Sequence, residues 1–415
     1  MVRKKKEKMM MMAAETSKRK TTTANLPADI ITEILVRLRV KPLLRFMCVS
    51  RSWFDLINSP AFARLHEIQT SFPLLIMWNF YSRQPFQSVD LLAPTGGAAD
   101  VAAERTVIRP CSCAPCKYFN PVITHPNNYI CYSSIVGSSN GILCFTPITR
   151  YEKMVLFNPS TRTLFVLPCL PWPPVGTESI TFGFGYDPIS HDYKLLRITQ
   201  YRYKPTDPLR THALIYSLSS NTWREVYEKY THGEIFIRCA SFQLANNALH
   251  WVAKRKDDER VIVSFDLHGE TYGEVPRPEV PGETFALCTL GVLDGCLCLS
   301  SERMPGGAAS IWVMKEYMMK DSWVKLFDMA DLPDPNAWPA AVLSINGRLT
   351  IVQQSGFEEG VSIYQSNVRM DSARRGAVAA IDEQLKNMAV AGVRSGWSHY
   401  EAICVESLSL IAINR

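Results

Sequence analysis

The segment from Asn25 to His66 decides the fold of the N-terminal part of the chain and has the sequence NLPADIITEILVRLRVKPLLRFMCVSRSWFDLINSPAFARLH. Its first apolar residues recur at the three- and four-residue spacing of one helix face: Ile30, Ile31, Ile34, Leu35 and Leu38. Further helices are predicted to start at Pro42, Ser50 and Pro60, because proline fits a first turn and serine can cap it. Three or four short helices cannot bury so many large apolar side chains among themselves. The apolar face left over is therefore either a partner site or a contact with the rest of the chain.

The N-terminal tail, residues 1–24, is basic and has no apolar periodicity. It carries RKKKEK at Arg3 to Lys8 and KRK at Lys18 to Lys20. We predict a disordered leader, with a nuclear import signal as the alternative. Much of the net charge of +6 lies in this tail. The remainder is close to balanced, so we expect no nucleic-acid partner.

The composition is that of an ordinary folded protein, with 47% hydrophobic and 20% charged residues in a chain of 415. No apolar run approaches the roughly 18 residues that cross a bilayer. The apolar stretch Met9 to Ala14 is too short for the core of a signal peptide. Most of the 12 cysteines stand singly in apolar stretches, as buried reduced thiols do. We therefore predict a soluble protein of the cytoplasm, the nucleus or both, without membrane contact.

From Ser71 onward the chain consists of short β-rich runs bounded by turn residues. A turn dipeptide followed by an apolar run recurs at Asn140-Gly141, Asn247-Ala248, Asp294-Gly295 and Asn346-Gly347. An aromatic residue of the next strand follows each dipeptide at a nearly constant distance: Phe157, Phe265, Trp312 and Tyr364. Such a repeat of roughly 50 residues is typical of a propeller blade.

Several repeats also share a second spacing. The number of residues from Phe157 to Leu164 equals that from Tyr216 to Trp223 and that from Phe265 to Tyr272. Pro168 and Pro276 then stand at the same distance beyond Leu164 and Tyr272. We interpret these residues as equivalent positions on neighbouring strands of successive blades.

Five copies of the repeat are recognisable, including a divergent copy from Phe182 to Ile198. The strand patterns of Phe72 to Leu92 and His399 to Ile411 have no partner of their own. Pairing them would complete a further blade and remove the open sheet edges. We therefore predict six blades, with five and seven as alternatives. A helical insertion from Ser372 to Met388 and a mobile loop from Ala93 to Arg105 are also expected.

Motifs of catalysis and metal binding are few. Gly137-Ser-Ser-Asn-Gly141 formally matches the Gly-x-Ser-x-Gly nucleophile elbow, which requires a helix after the serine. Here the motif opens a predicted strand, so an ordinary hairpin is preferred to a hydrolase site. Cys111, Cys113 and Cys116 are clustered, but zinc sites usually use separated Cys-x-x-Cys pairs, so free thiols are preferred. We predict no catalytic residue, no metal and no cofactor.

Three other features have simple structural interpretations. His250 stands in a predicted blade strand and is expected to be a hydrogen-bonded core residue. The mixed charges of Lys254 to Arg260 suit a solvated hairpin tip. The basic and aromatic residues from Tyr201 to Lys204 could contact nucleic acid, but they are too few to favour that partner.

The opening segment resembles the F-box. The resemblance lies in Leu26-Pro27-x-Asp29, Glu33-Ile34-Leu35-x-Arg37-Leu38, Val40-Lys41-x-Leu43, Arg45-Phe46-x-Cys48-Val49, Ser52-Trp53-x-x-Leu56-Ile57 and Ser59-Pro60-x-Phe62-x-x-Leu65-His66. Two positions depart from the family pattern: Arg39 stands where proline is usual, and Met47 where a basic residue is common. Both departures are mild and are not expected to abolish docking.

The remainder resembles the F-box-associated, Kelch-like domain that follows such motifs. The resemblance lies in Gly137-Ser-Ser-Asn-Gly-Ile-Leu-Cys144, Phe157-Asn-Pro-Ser-Thr-Arg162, Phe182-Gly-Phe-Gly-Tyr-Asp187, Asp192-Tyr-Lys194 and Val405-Glu-Ser-Leu408. Together the two resemblances imply an α+β multidomain protein, with a three-to-four-helix F-box followed by an all-β propeller. The expected boundaries are 1–24 for the tail, 25–68 for the F-box and 70–415 for the propeller.

These resemblances imply a substrate-recognition subunit of an SCF-type, cullin–RING ubiquitin ligase. The F-box would dock a Skp-family adaptor and, through it, cullin, while the propeller would bind an unidentified target protein. The candidate adaptor-binding residues are Leu26, Pro27, Ile31, Ile34, Leu35, Leu38, Leu43, Leu44, Val49 and Trp53. The chain itself would not be an enzyme, because other subunits transfer the ubiquitin. Two alternatives stay open: a ligand-binding or lectin-like propeller with a non-degradative role, and a propeller enzyme with chemistry in its channel.

Overall fold

The structure of the protein is a computed structural model. It describes residues 26–70, 72–79, 86–92, 106–108, 123–124, 130–131, 133–147, 154–169, 173–226, 235–237, 242–278, 289–293, 295–301, 310–328, 338–345, 348–355, 360–366, 388–390 and 398–408. The predicted tail and mobile loop, the clustered cysteines and most of the predicted helical insertion lie outside these residues. The last residue of that insertion, Met388, opens a strand instead.

Four helices form the N-terminal part of the described chain: α1 (Ala28–Leu35), α2 (Val40–Phe46), α3 (Arg51–Ile57) and α4 (Pro60–Gln69). Ser50 and Ser59 cap α3 and α4, since their hydroxyl oxygens accept bonds from the N–H groups of Trp53 and Phe62, at 3.2 and 3.1 Å. The second helix begins at Val40, two residues before the predicted start at Pro42. Proline is tolerated there because the first turn of a helix leaves its N–H groups without intrahelical partners.

The remaining described elements are strands, apart from a 3₁₀ turn at Lys320–Ser322. In chain order they are β1 (Pro73–Asn79), β2 (Phe86–Asp90), β3 (Thr106–Ile108), β4 (Ile123–Thr124), β5 (Ile130–Cys131), β6 (Ser133–Ser139), β7 (Ile142–Pro147), β8 (Val155–Asn158), β9 (Thr163–Val166), β10 (Thr177–Asp187), β11 (Asp192–Tyr201), β12 (Arg210–Ser217), β13 (Thr222–Glu225), β14 (Ile235–Ile237), β15 (Gln243–Ala245), β16 (Ala248–Arg255), β17 (Arg260–Asp266), β18 (Tyr272–Val275), β19 (Thr289–Leu293), β20 (Cys296–Ser301), β21 (Ser310–Met314), β22 (Trp323–Asp328), β23 (Trp338–Ile345), β24 (Arg348–Ser355), β25 (Gly360–Ser366), β26 (Met388–Val390) and β27 (Ser398–Val405). The helices are thus followed by an all-β part.

Within the described residues, the strands pair into antiparallel sheets of four or five strands and one small sheet, β4-β5. We number the larger sheets 1 to 6 in the order β27-β1-β2-β3, β6-β7-β8-β9, β10-β11-β12-β13, β14 and β15 with β16-β17-β18, β19-β20-β21-β22, and β23-β24-β25-β26. Each sheet contacts the next along the chain, and β25 of sheet 6 contacts β27 of sheet 1. Buried apolar clusters fill the spaces between neighbouring sheets, so the core of this propeller lies between its blades.

Sheet 1 joins the two ends of the all-β part. Its strands β1 and β27 run antiparallel, from the pair Pro73–Val405 to the pair Asn79–Ser398. This confirms the prediction that the strand patterns near residues 72–92 and 399–411 complete one another. The junction removes two sheet edges that would otherwise be open to other chains.

The aromatic residues of the repeat stand at equivalent places. Phe157, Phe265, Trp312 and Tyr364 all lie on the third strand of their sheets. The predicted pairs are direct cross-strand neighbours: Phe157 with Leu164, Tyr216 with Trp223, and Phe265 with Tyr272. The interval seen in the sequence is therefore the length of the hairpin between the last two strands of a blade.

The prolines of the repeat also have a structural role. The indole N–H of Trp223, on the last strand of sheet 3, donates to the carbonyl oxygen of Pro168 after sheet 2, at 3.2 Å. Trp323, on the last strand of sheet 5, makes the same bond to Pro276 after sheet 4, at 2.7 Å. A tryptophan on one outer strand thus fixes the chain leaving the preceding blade.

One predicted turn is displaced by a residue. The turn before β16 is Asn246-Asn247, with φ of 48° and 61°, and Ala248 already belongs to the strand. The prediction placed the turn at Asn247-Ala248. Asparagine tolerates the left-handed region and alanine does not, so the pair of asparagines is the better turn.

His250 is fully buried on β16 and has partners on both ring nitrogens. Its Nδ1–H donates to the carbonyl oxygen of Gln243 at 3.3 Å, so Nε2 accepts from the hydroxyl of Tyr317 at 2.8 Å. Burial lowers the pKa of His250 from 6.5 to about 4. This arrangement confirms the predicted hydrogen-bonded core histidine, which is neutral at pH 7.

We expect the buried His250 to make the protein less stable as the pH falls from about 6.5 to about 4. In the unfolded chain the histidine takes up a proton below about 6.5, whereas the folded state resists it until about 4. The free energy of unfolding should therefore fall by roughly 3 kcal/mol as the pH is lowered from the unfolded to the folded pKa of His250. Below the folded pKa, His250 should contribute little further pH dependence. Urea titrations from pH 7 to 4.5 would measure this slope. In the His250→Gln variant, which does not titrate, the slope should be smaller, and equal slopes in both proteins would contradict the assignment.

Candidate functional site

An apolar stripe lies exposed on the helical domain. Leu26, Ile30 and Ile34 are 55%, 46% and 50% exposed, although large aliphatic side chains are normally buried. They stand four residues apart, so those on α1 lie on one side of the helix and Leu26 approaches the same side from its N-terminal end. The neighbouring Pro27 is exposed as well. We call Leu26, Pro27, Ile30 and Ile34 the α1 stripe.

The opposite face of α1 closes the interior of the helical domain. The buried cluster contains Leu35, Val36, Val40, Leu43, Ile57, Phe62 and Leu408. Leu35 and Leu43, predicted as adaptor contacts, are 1% and 0% exposed. They hold the helices together and are not available to a partner on this surface, because helical periodicity alone does not distinguish the inner from the outer apolar face.

The other predicted contacts divide into two groups. Ile31, Leu38, Leu44 and Trp53 are partly buried against the cluster. Val49, after α2, is 61% exposed. Ile30 was absent from the predicted set, although the four-residue spacing from Leu26 through Ile30 to Ile34 was visible in the sequence. Of the predicted contacts, Leu26, Pro27, Ile34 and Val49 are the well-exposed ones.

Exposed ion pairs lie on the helical domain next to α1 and on α3. Arg37 pairs with Glu33 one turn away on the chain, and Arg51 with Asp55 at 3.3 Å. Exposed pairs of this kind contribute roughly 0–1 kcal/mol. The side chains that the α1 stripe itself offers to a partner are apolar.

The helical domain is attached to the propeller through the residues that follow β27. The carboxylate of Glu406 accepts bonds from Arg39 Nε at 2.9 Å, Arg39 Nη2 at 2.6 Å and the N–H of Val40 at 3.1 Å. The hydroxyl of Ser407 donates to Glu67 on α4 at 2.9 Å. Leu408 then enters the buried cluster of the helices. The segment 406–408 thus contacts α2, α4 and the helical core in succession.

The same segment is fixed to sheet 2. The side-chain amide of Asn158 donates to the carbonyl oxygen of Ser407 at 2.9 Å. Gly141, in the turn between β6 and β7, lies against Val405 and Ser407. The helices and the propeller are therefore joined by a contact in which both sides are tightly packed.

The serine of the Gly-x-Ser-x-Gly match has a structural role. Ser139 is the last residue of β6, and Asn140 and Gly141 form the turn into β7, with φ of 44° and 76°. Its hydroxyl oxygen accepts a bond from the N–H of Tyr186 at 3.1 Å and is largely buried. Because a strand and not a helix follows, the motif is a blade hairpin, as predicted.

One cluster of titratable side chains is buried between sheets 3 and 4. Burial alone would raise the pKa of Asp187, but bonds from Ser190, the N–H of Ile189, Lys194 and His268 outweigh it and hold the pKa well below its usual range. Lys194 also donates to the carbonyl oxygen of Leu267 at 2.5 Å. These groups satisfy one another, which is what a structural network between blades requires. In the described part of the chain no group of histidine, cysteine and carboxylate side chains could hold a metal ion.

Residues 116–377 match the family described as the F-box associated beta propeller domain, and residues 24–65 match the F-box domain. The chain belongs to the F-box-associated β-propeller family. It is 30% identical to F-box protein CPR1 of Arabidopsis thaliana over 73% of this chain and 73% of that protein. It is also 30% identical to an F-box/kelch-repeat protein of the same plant, over 75% of this chain and 81% of that protein.

Among solved structures, the chain is similar to the Hadza microbial sialidase Hz136, with a TM-score of 0.42 and 11% identity over 66% of each chain. At that level the similarity implies nothing about activity. Within the described residues, no helix is both long and apolar enough to cross a membrane.

Proposed function

We propose that this protein is the substrate-recognition subunit of an SCF-type, cullin–RING ubiquitin ligase. Its F-box would dock a Skp-family adaptor, and its propeller would bind the protein to be ubiquitinated. The observation that carries the proposal is the α1 stripe, an apolar surface left exposed on a helical domain that matches the F-box family. An exposed apolar stripe of this kind is the usual mark of a protein-binding site.

The propeller would hold the target protein close to the enzyme that carries ubiquitin and would not itself catalyse a reaction. Binding a target beside the adaptor raises its effective concentration near the enzyme that carries ubiquitin. This role needs no acid, base or nucleophile in the chain, which agrees with the structural roles of Ser139, His250 and Asp187. We propose that the protein acts in the cytoplasm, the nucleus or both.

We further propose that sheets 1 to 6 are the six blades of one closed, Kelch-like ring. The sequential contacts between sheets and the contact of sheet 6 with sheet 1 support this number. The pairing of β1 with β27 supports closure by strands from both ends of the domain. The proposed domain boundaries are 25–68 and 70–415; the last helix ends at Gln69 and the first strand begins at Pro73.

Adaptor binding tests the proposal. Leu26→Ala with Ile34→Ala should weaken binding of a purified Skp-family adaptor by about 100-fold or more, since each of the two large apolar contacts contributes roughly 1.5–3 kcal/mol when fully buried. Isothermal titration calorimetry with the full chain would measure the change. Ile68→Ala is the matched control, because Ile68 is 82% exposed on α4 and lies outside the α1 stripe. Equal affinities for all three proteins, or no adaptor binding by the unmodified chain, would reject the proposed function.

A further inference from the structure

The connection between β11 and β12, residues 202–209, lies at the end of sheet 3 that is remote from the helical domain. At the near end, the N–H of Tyr186 is bonded to Ser139, beside the Gly141 turn that contacts Ser407. Strand β11 then runs from Asp192 to Tyr201. Ten extended residues at about 3.3 Å each span roughly 33 Å. The connection is therefore presented on the face of the propeller that points away from the F-box.

This end of sheet 3 carries an aromatic and basic surface. Tyr203 is 57% exposed, and its ring lies edge-on to Tyr201 with a centroid distance of 5.5 Å. The guanidinium of Arg210 lies 5.1 Å from the centre of the Tyr203 ring. Val175 is 83% exposed, and the residue after it, Gly176, lies against the backbone of Arg202 and Tyr203. We call Val175, Tyr201, Tyr203 and Arg210 the tyrosine platform.

The backbone holds this platform in one shape. The N–H of Arg202 donates to the carbonyl oxygen of Gly176 at 3.0 Å. The connection closes on itself, because the N–H of Asp207 donates to the carbonyl oxygen of Lys204 at 3.0 Å and the Asp207 carboxylate accepts from the N–H of Lys204 at 3.2 Å. Pro205 and Pro208 restrict the backbone on either side of Asp207. A surface that is ordered before binding loses less entropy when a partner docks.

Among the described residues, no carboxylate neutralises the charge of Arg210 in the platform. Arg202 pairs with Glu178 at 3.3 Å, but in the described residues the side chains of Lys204 and Arg210 have no carboxylate within ion-pair distance. The hairpin between β16 and β17, at the same end of sheet 4, differs in this respect. There Arg255 pairs with Glu259 and Glu274, both at 2.6 Å. A guanidinium stacked on a ring keeps its N–H edge available for a carboxylate.

We infer that the tyrosine platform is the docking site for an acidic segment of the target protein. A carboxylate of that segment binds the N–H edge of Arg210, and an apolar side chain next to it packs on Tyr203 and Val175. The inference rests on the proposed function and names the class of target for its propeller. Nucleic acid fits the surface less well, because Glu178 and Asp207 lie among only a few cations, whereas tight backbone binding needs several neutralised phosphates.

Peptide binding by the full chain in complex with its adaptor tests the inference. The probe is a short fluorescent peptide in which phenylalanines are flanked by glutamates, and the reference is the same peptide with glutamines. The acidic peptide should bind at least tenfold more tightly in fluorescence anisotropy. Arg210→Glu and Tyr203→Ala should each weaken that binding about tenfold or more, and Arg210→Lys should weaken it less because it keeps the charge but loses the fork.

Lys256→Glu is the matched control for charge, because Lys256 is exposed in the hairpin at the same end of the propeller. It should leave peptide affinity within about twofold. Equal losses in Arg210→Glu and Lys256→Glu, absence of peptide binding, or displacement of the peptide by a single-stranded oligonucleotide would overturn the inference. Adaptor affinity is measured on the same samples. A complex that binds adaptor but not the peptide rejects the platform alone, whereas a chain that binds no adaptor rejects the proposed function.

Discussion

Gly141→Ala is expected to cost about 3–5 kcal/mol of stability, while the same change at Gly295 costs about 1–2 kcal/mol. Both glycines occupy the equivalent blade turn and have nearly the same backbone conformation, with φ of 76° and 80°. Alanine in this left-handed region is strained at either position. The difference lies in the surroundings. A Cβ on Gly141 would stand 2.2 Å from the Cβ of Ser407 and 2.6 Å from the carbonyl oxygen of Val405. A Cβ on Gly295 would meet none of the described residues within 4 Å.

The Gly141 substitution should therefore act on the contact between the helices and the propeller. To make room, the residues after β27 must move, and these residues hold Arg39, Val40 and Glu67. Thermal unfolding of both variants, compared with the unmodified chain, separates backbone strain from the steric effect. If the two alanine variants unfold at the same temperature, the close packing of Gly141 against the segment after β27 contributes nothing.

Much of the all-β part could be predicted from sequence because its signals are local. The pairing of Phe157 with Leu164 follows from the fixed length of a short hairpin, and the turn at Asn140-Gly141 from residues that accept positive φ. The displaced turn at Asn246-Asn247 shows the limit of this approach. Two adjacent asparagines and an alanine allow two registers, and only strand pairing selects between them.

The candidate site was less predictable, because exposure depends on contacts that are distant in sequence. The apolar pattern of α1 identified both Ile34 and Leu35, but it could not tell that one is half exposed and the other buried. In the sequence, Arg39 stands out only as a departure from the F-box pattern. Its partner Glu406 is 367 positions away, and no periodicity relates the two. A residue that is unusual for the F-box thus serves the attachment of the propeller.

Leu408→Asp is expected to unfold the helical domain while the central blades stay folded. Leu408 is 1% exposed and lies in the cluster formed by Leu35, Leu43 and Phe62 from three of the helices. The change removes an apolar side chain whose burial is worth roughly 1.5–3 kcal/mol and adds a carboxylate that finds no partner in an apolar interior. Together these effects should cost about 4 kcal/mol or more, which is a large share of the stability of so small a helical unit.

Hydrogen exchange measured by mass spectrometry locates the effect of this substitution. Amides of α1 to α4 should lose protection in Leu408→Asp, whereas those of β11 and β16, whose apolar neighbours lie in a different cluster, should keep it. Leu408→Met is the control, since a swap of similar volume costs less than about 1.5 kcal/mol. Adaptor affinity should fall with helix protection, because the α1 stripe exists only when the inner face of α1 is packed. If the helices remain protected in Leu408→Asp, the F-box folds without the packing of Leu408. The folding of the helical domain would then not depend on its contact with the propeller.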